Sequence, residues 1–401
     1  MVVQVRGLLL VALTVLASCK QGAPPAGVAD GLKEPTGQAT PSDLATAEDP
    51  LFLPGSQPGE NGIELAKVAQ CKLCHGNTKN GEADPFFSWQ SGMMSQAMRD
   101  PVFLAALAVA NQDVTGSGEY CIRCHSPRGW LEGRSKVTDG SALTPEDRHG
   151  VSCDVCHRLV DPLSSEAKKY AKVTPPGYGN GMYVADPRNV TRGPYEDRGG
   201  AKPHLVIQTT YQGSSELCAN CHNVSNPLQA KDASTQPPHA YGHIERTYSE
   251  WSLSSFASGA GAQSCQSCHF PLVEGGGQVS KYDEGTREHF VRHGAVGGST
   301  WVQEAVAALW PDSGLTRAHL DLAKRRARAL LRSAASLEIR SNDDSPVLRI
   351  TNNSGHKLPT GYPEGRRLWV NLRYLDASGS VLAEVGHYGE TTATLGGKSV
   401  Q

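Results

Sequence analysis

His149-Gly150-Val151-Ser152-Cys153-Asp154-Val155-Cys156-His157 contains the pattern on which the reading of this chain turns: two cysteines three positions apart, then a histidine. The pattern recurs at Cys71-Lys72-Leu73-Cys74-His75, Cys121-Ile122-Arg123-Cys124-His125, Cys218-Ala219-Asn220-Cys221-His222 and Cys265-Gln266-Ser267-Cys268-His269. Eleven cysteines occur in 401 residues; the motifs use ten, and the eleventh is Cys19. The spacing has a physical cause. On a helical turn, residues i, i+3 and i+4 share one face. Thiols at i and i+3 then reach the two vinyl edges of one porphyrin, and the next residue sets an imidazole under the iron. This is the attachment pattern of a c-type haem, with the motif histidine as proximal ligand. It predicts five covalently held haems, with His75, His125, His157, His222 and His269 on the irons.

Rival chemistries explain the pattern less well. Structural zinc sites use paired Cys-x-x-Cys units, but zinc gives no reason for a histidine after every second cysteine. Five disulfides are conceivable in an exported protein, although a two-residue loop is a strained place for one. Thioredoxin-like redox motifs do not come in fives.

An electron-transfer haem favours six-coordinate, low-spin iron, because a small change of geometry lowers the reorganisation energy. Each iron therefore calls for a distal ligand. Nine histidines lie outside the motifs: His149, His204, His239, His243, His289, His293, His319, His356 and His387. The candidates are His149, four residues before Cys153; His204, ahead of the fourth motif; and His243, before Trp251. To these we add His293 in His-Gly-Ala-Val-Gly-Gly and His356 in Ser-Gly-His-Lys-Leu-Pro-Thr-Gly. Met94, beside Met93 and close to Met98, is a soft alternative whose other reading is helix packing.

The bulk composition fits an exported, loop-rich chain. A formal net charge of −2 gives no reason to expect nucleic acid as a target. Glycine and proline are abundant (43 and 25) and aromatics scarce at 6%, so something other than Phe and Trp fills part of the interior. Met1–Ser18 reads as an export signal: Arg6 is the charged region, Gly7–Leu16 the apolar stretch, and Leu16-Ala17-Ser18-Cys19 the cleavage end. The apolar run is shorter than the roughly 20 residues a bilayer span needs. Cys19 after Leu-Ala-Ser resembles a bacterial lipobox, which would leave Cys19 acylated as the mature N-terminus. The alternative is a soluble secreted protein with a chance cysteine. Lys20, in place of the Asp that in some bacteria retains lipoproteins at the inner membrane, points to the outer membrane.

Residues 19–61 are rich in Ala, Pro, Gly, Ser and Thr and are expected to form a flexible tether. The haem-bearing region runs over 62–299, with short helices expected at Phe86–Ala110 and Thr247–Phe256. From residue 300 to 335 the pattern turns helical, and six basic residues between Arg317 and Arg332 suggest a solvated face or a docking site for an acidic partner. Over 336–401 the period becomes two. Strands are expected at Ser336–Ser341, Pro346–Ser354, Arg366–Asp376 and Ser380–Gly389, with a turn at Ala377-Ser378-Gly379. The fold class expected is a mostly α and irregular multihaem core with a small C-terminal β-sandwich-like domain, complete or cut short.

At its motifs the chain resembles a family of multihaem cytochromes c related to the tetrahaem electron carriers of ammonia oxidation. The similar phrases are Trp89-Gln-Ser-Gly-Met-Met-Ser-Gln-Ala-Met-Arg-Asp-Pro101, Tyr120-Cys-Ile-Arg-Cys-His-Ser-Pro-Arg-Gly-Trp130, His149-Gly-Val-Ser-Cys-Asp-Val-Cys-His157, Ser215-Glu-Leu-Cys-Ala-Asn-Cys-His222 and Ser264-Cys-Gln-Ser-Cys-His-Phe-Pro271. Gly355-His-Lys-Leu-Pro-Thr-Gly-Tyr-Pro-Glu-Gly-Arg-Arg-Leu-Trp369 is similar to a segment recurring in such proteins. Where relatives often carry histidine after the Trp-x-x-Ser-like stretch, this chain has Met94. The resemblance implies a stack of haems wrapped by short helices, passing single electrons between redox protein partners. Arg366 and Arg367 are candidates to pair with haem propionates, or ordinary strand-surface arginines. Two other functions stay open at this level. An oxidoreductase of small nitrogen or sulfur compounds would need one iron without a distal side chain, and no Cys-x-x-Cys-Lys variant is present. A haem-bearing filament subunit is the other, and a terminal lipid anchor makes it less natural.

Overall fold

A computed structural model describes residues 2–6, 52–199, 202–226, 242–283, 285–342, 345–363, 366–389, 394–395 and 398–399. Cys19, His239 and most of the expected tether lie outside them. The chain divides into two bodies: residues 34–334, and residues 1–33 with 335–401.

In the larger body the motifs sit on short helices: α1 (Val68–His75), α4 (Gly118–His125), α6 (Cys153–Arg158), α7 (Ser215–Ala219) and α9 (Cys265–His269). Between α1 and α4 come α2 (Pro85–Gln90) and α3 (Pro101–Asp113), in the stretch where short helices are expected. The break is local chemistry. Asp100 precedes Pro101, and a residue before proline is pushed out of the helical region. The Asp100 carboxylate then accepts from the backbone N–H of Val102 and Phe103, capping a new helix whose first position is proline. Asp84 and Pro85 start α2 in the same way, with Asp84 accepting from Phe87 N–H at 2.8 Å.

Helix α5 (Pro127–Leu131) follows α4 directly, and α8 (Thr247–Ser252) precedes the last motif. Three two-stranded ladders join the loops: β2 (Leu159–Val160) with β3 (Val184–Ala185), β4 (Val190–Gly193) in parallel with β5 (Leu205–Gln208), and β6 (Val224–Ser225) with β7 (His243–Glu245). Helices α10 (Val302–Leu309) and α11 (Arg317–Ser333) flank a break at Pro311 and at Gly314, whose φ of 72° favours glycine. Helix α11 buries Leu322, Ala323 and Ala327. Its basic side is tied down: Lys324 pairs with Glu304 at 2.6 Å, Arg317 with Glu304 and Asp321, and Arg325 with Glu82. Helix α10 packs on α3 and α11 on α2, so the segment expected as a connector belongs to the haem-motif body.

The main core cluster comprises Ile63, Leu65, Met98, Leu107, Ile122, Trp130, Leu131, Leu143, Val155, Leu159, Tyr183, Ala185 and Tyr211. Ile122 and Val155 stand between the cysteines of the second and third motifs, so the residues inside those motifs are core residues. Each buried apolar side chain of this size contributes about 1.5–3 kcal/mol. In the first motif the place of Val155 is taken by Leu73, which is exposed. Residues 52–61, expected as the end of the tether, are packed instead. Leu53 and Ser56 are buried, Gly55 N–H donates to Val173 O, and Arg123 donates to Leu53 O and Pro54 O.

In the smaller body, β8 (Ala335–Asn342) and β9 (Ser345–Asn352) form an eight-pair antiparallel hairpin. Strands β10 (Asn371–Leu375) and β11 (Val381–Val385) pair antiparallel through a turn in which the Asp376 carboxylate accepts from Ser378 N–H and Ser380 N–H. On the other edge of β10 lies β1 (Val2–Arg6), in parallel, from the segment expected to be an export signal. Strands β12 (Tyr388–Gly389), β13 (Thr394–Leu395) and β14 (Lys398–Ser399) complete a small sheet. Among the described residues these strands form three small sheets, with Ile339, Ile350, Val381, Leu382 and Val385 exposed, where a sandwich-like domain was expected.

Candidate metal centres

Each motif closes one helical turn. In the fourth, which runs past the end of α7, His222 N–H still donates to Cys218 O at 2.9 Å. All ten motif cysteines are free thiols. The motifs meet out of chain order. Helix α1 packs on α6, bringing the side chains of Cys71 and Cys153 close enough to shift one another's titration, and α7 packs on α9, doing the same for Cys218 and Cys265. Cys124 and Cys221 form the third such pair. Gly181, at a φ of 67°, lies so close that a Cβ there would come within 3.0 Å of Cys124 Sγ. Glutamines stitch the rest: Gln212 donates to Cys156 O and Leu159 O, and Gln266 to Gln212 O and Ser214 O. The first motif thus neighbours the third, the second the fourth, and the fourth the fifth.

Four of the five motif histidines rest Nδ1 on a backbone carbonyl. His75 reaches Val279 O at 2.8 Å, His125 reaches Ala97 O at 3.3 Å, His157 reaches Arg192 O at 2.6 Å and His269 reaches Val296 O at 2.5 Å. A carbonyl only accepts, so Nδ1 carries the proton and Nε2 keeps its lone pair. That is the tautomer and the outer support a metal-ligating imidazole needs. Burial pushes His125 down to about 4 and lowers His157 as well, which favours the neutral ring at both. His222 departs from the pattern: its Nδ1 lies 3.9 Å from the Glu245 carboxylate.

Two of the candidate distal histidines face motif histidines. His204 stands opposite His75 and His293 opposite His157, each with ring centroids 6.4 Å apart. An imidazole nitrogen sits about 2 Å from a first-row metal ion and the ring centre about 1 Å beyond, so two imidazoles on opposite sides of one ion have centres about 6 Å apart. His293 is held like the motif residues, with Nδ1 3.1 Å from Val291 O, and burial lowers it to about 4. Two thiols and an imidazole on one turn, a carbonyl behind that imidazole and a second imidazole across the gap fit a haem at the first and third motifs.

The other candidates are placed differently. Arg99, almost wholly buried, donates toward His149 Nδ1 at 3.4 Å. That leaves the proton of His149 on Nε2, the wrong tautomer for ligation through Nε2. His243 is exposed on β7. His356 belongs to the smaller body, where Nδ1 lies 3.0 Å from Lys357 O; Arg366 and Arg367 lie in that body too. Met94 is half-buried, and its carbonyl accepts from Val151 N–H at 2.9 Å. His319, one of the spare histidines, closes a capping box on α11 by accepting from Thr316 N–H at 3.1 Å.

The supporting carbonyls and Glu245 carry no signal in the sequence: a carbonyl belongs to every residue, and Glu245 is an ordinary glutamate until β7 pairs with β6. Among the described residues no three or more His, Cys, Asp or Glu side chains converge as a bare-ion site, and no helix is long and apolar enough to cross a membrane. No family model, curated protein or solved structure matches the chain.

Proposed function

We propose that the chain is an exported, lipid-anchored pentahaem cytochrome c that passes single electrons between redox protein partners. The observation that carries this reading is the set of four motif histidines whose Nδ1–H groups rest on backbone carbonyls, two of them facing a second imidazole at 6.4 Å. When bound, each haem supplies an iron that takes up and returns one electron.

The chain's own residues hold, orient and shield. Cys71 and Cys74, Cys121 and Cys124, Cys153 and Cys156, Cys218 and Cys221, and Cys265 and Cys268 hold five haems through thioether bonds. His75 with His204, and His157 with His293, would hold the irons of the first and third haems from two sides, which would leave little room for substrate and favour simple electron transfer. The contacts linking the first motif to the third and the second and fifth to the fourth support a reading in which neighbouring haems would exchange electrons. Cys19, acylated, would anchor the body to a membrane through the tether.

Mass spectrometry of the denatured protein tests the reading. The mature chain plus five haem masses, with a c-type pyridine haemochrome, is expected. Fewer haems, or zinc, would overturn it. Native protein that turns over nitrite or hydroxylamine would make it an enzyme instead.

A further inference from the structure

The fourth motif is built differently from the others. Its histidine, His222, has a carboxylate behind it where His75, His125, His157 and His269 have carbonyls. The carboxylate is positioned by backbone structure. Strand β6 begins two residues after His222 and pairs with β7 so that Val224 lies opposite Glu245. Tyr248 N–H donates to His222 O at 3.0 Å, closing the hairpin onto the motif. One oxygen of Glu245 is used, accepting from Thr247 N–H at 3.1 Å. The other, Oε2, is buried and has no hydrogen-bond partner among the described residues. It lies 3.9 Å from His222 Nδ1, about 1 Å beyond a hydrogen bond.

A buried carboxylate oxygen without a donor is costly, and an imidazole N–H is the donor beside it. A carbonyl behind a ligating imidazole fixes its tautomer. A carboxylate does so too, and also makes the ring a more basic ligand that favours the higher charge on the metal. We infer that Glu245 is a positioning residue whose carboxylate, 3.9 Å from His222 Nδ1, would set the fourth haem at a lower reduction potential than it would otherwise have. This rests on the pentahaem reading. Glu245 also lies near enough to Cys124 to act on it electrostatically, so its charge is felt at the second motif as well, more weakly.

Glu245→Gln tests it in the complete five-haem protein. The amide oxygen can still accept from Thr247 N–H, while the charge is lost. Potentiometric titration followed by EPR should show one site displaced upward by tenfold or more in its equilibrium constant, about 59 mV for a one-electron couple. The same site should show altered low-spin g-values, with the first, third and fifth unmoved. Five potentials and five signals superimposable on wild type would overturn the assignment, and so would an equal shift of all five, which marks a loosened fold. Should the Gln variant fail to hold five haems, Glu245→Asp, which keeps the charge and withdraws it by one methylene, is titrated instead. A change confined mainly to one site supports the role, and no change overturns it. Wild-type protein without covalent haem removes the underlying reading; five haems with unmoved potentials removes only the role of Glu245.

Discussion

His293 and His149 each follow an arginine and precede a glycine, and their Nδ1 atoms have opposite roles. In His293 it donates to Val291 O at 3.1 Å and Nε2 is left to ligate; in His149 it accepts from Arg99. The partner, not the loop, sets the chemistry of the ring. His293→Ala should therefore open one iron: the variant should bind carbon monoxide equal to about one haem in five and gain one high-spin EPR signal, while His149→Ala should do neither. His204→Ala should behave as His293→Ala does, at the first motif. Were the His204 and His293 variants to stay wholly low-spin, the axial pairing would be wrong while the haem count stood.

Helices α2 and α3 begin at aspartate caps, Asp84 and Asp100, each followed by proline. Asp84 shows how much one cap does, accepting from Phe87 N–H, Thr78 N–H and the Thr78 hydroxyl at 2.8 to 2.9 Å. Asp84→Ala should cost about 1–2 kcal/mol, measured by denaturant unfolding at unchanged haem content. Strand β4 is held by charge. Burial by itself would raise the Asp186 carboxyl, but hydrogen bonds from Arg188 and Arg192 hold it at about 2. A carboxyl depressed from its ordinary value of about 3.9 contributes stability that is full above that value and is lost as pH falls through about 2. Arg192 also presents the carbonyl that orients His157. Acid titration should therefore disturb the third site over that window, and Asp186→Asn should remove this part of the acid dependence while lowering stability at neutral pH.

At the scale of the whole chain, residues 34–334 form one body and residues 335–401, with 1–33, another. All five motifs, and both histidines that face a motif, lie in the first. A fragment of residues 34–334, exported behind a substitute signal, should therefore carry five haems with the same low-spin signals as the full chain. A fragment that lost a haem would show that the smaller body supplies a ligand, for which His356 would be the first choice.

Much of this was legible in the residues alone, wherever a constraint is local. Ten cysteines and five histidines at fixed spacing need only one helical turn to become equivalent sites, and backbone geometry guarantees the turn. The period-two stretches after Ser336 became β8 to β11 for the same reason, since alternation is a property of neighbouring residues. Within Phe86–Ala110, where short helices were expected, the cap and proline at Asp100–Pro101 divide α2 from α3. What the tertiary structure decided is which groups meet. His75 and Val279 are 204 positions apart, and no spacing rule links a ring to a carbonyl at that distance. Of the nine spare histidines five were candidates by their local sequence; folding set two of these, His204 and His293, opposite motif histidines, gave His149 to Arg99 and made His319 a helix cap. Glu245 gained its place only when β7 paired with β6. The physical reason is the same in each case: which side chains and carbonyls face a motif histidine is decided by packing between segments remote in the chain, whereas each Cys-x-x-Cys-His motif is set by five consecutive residues.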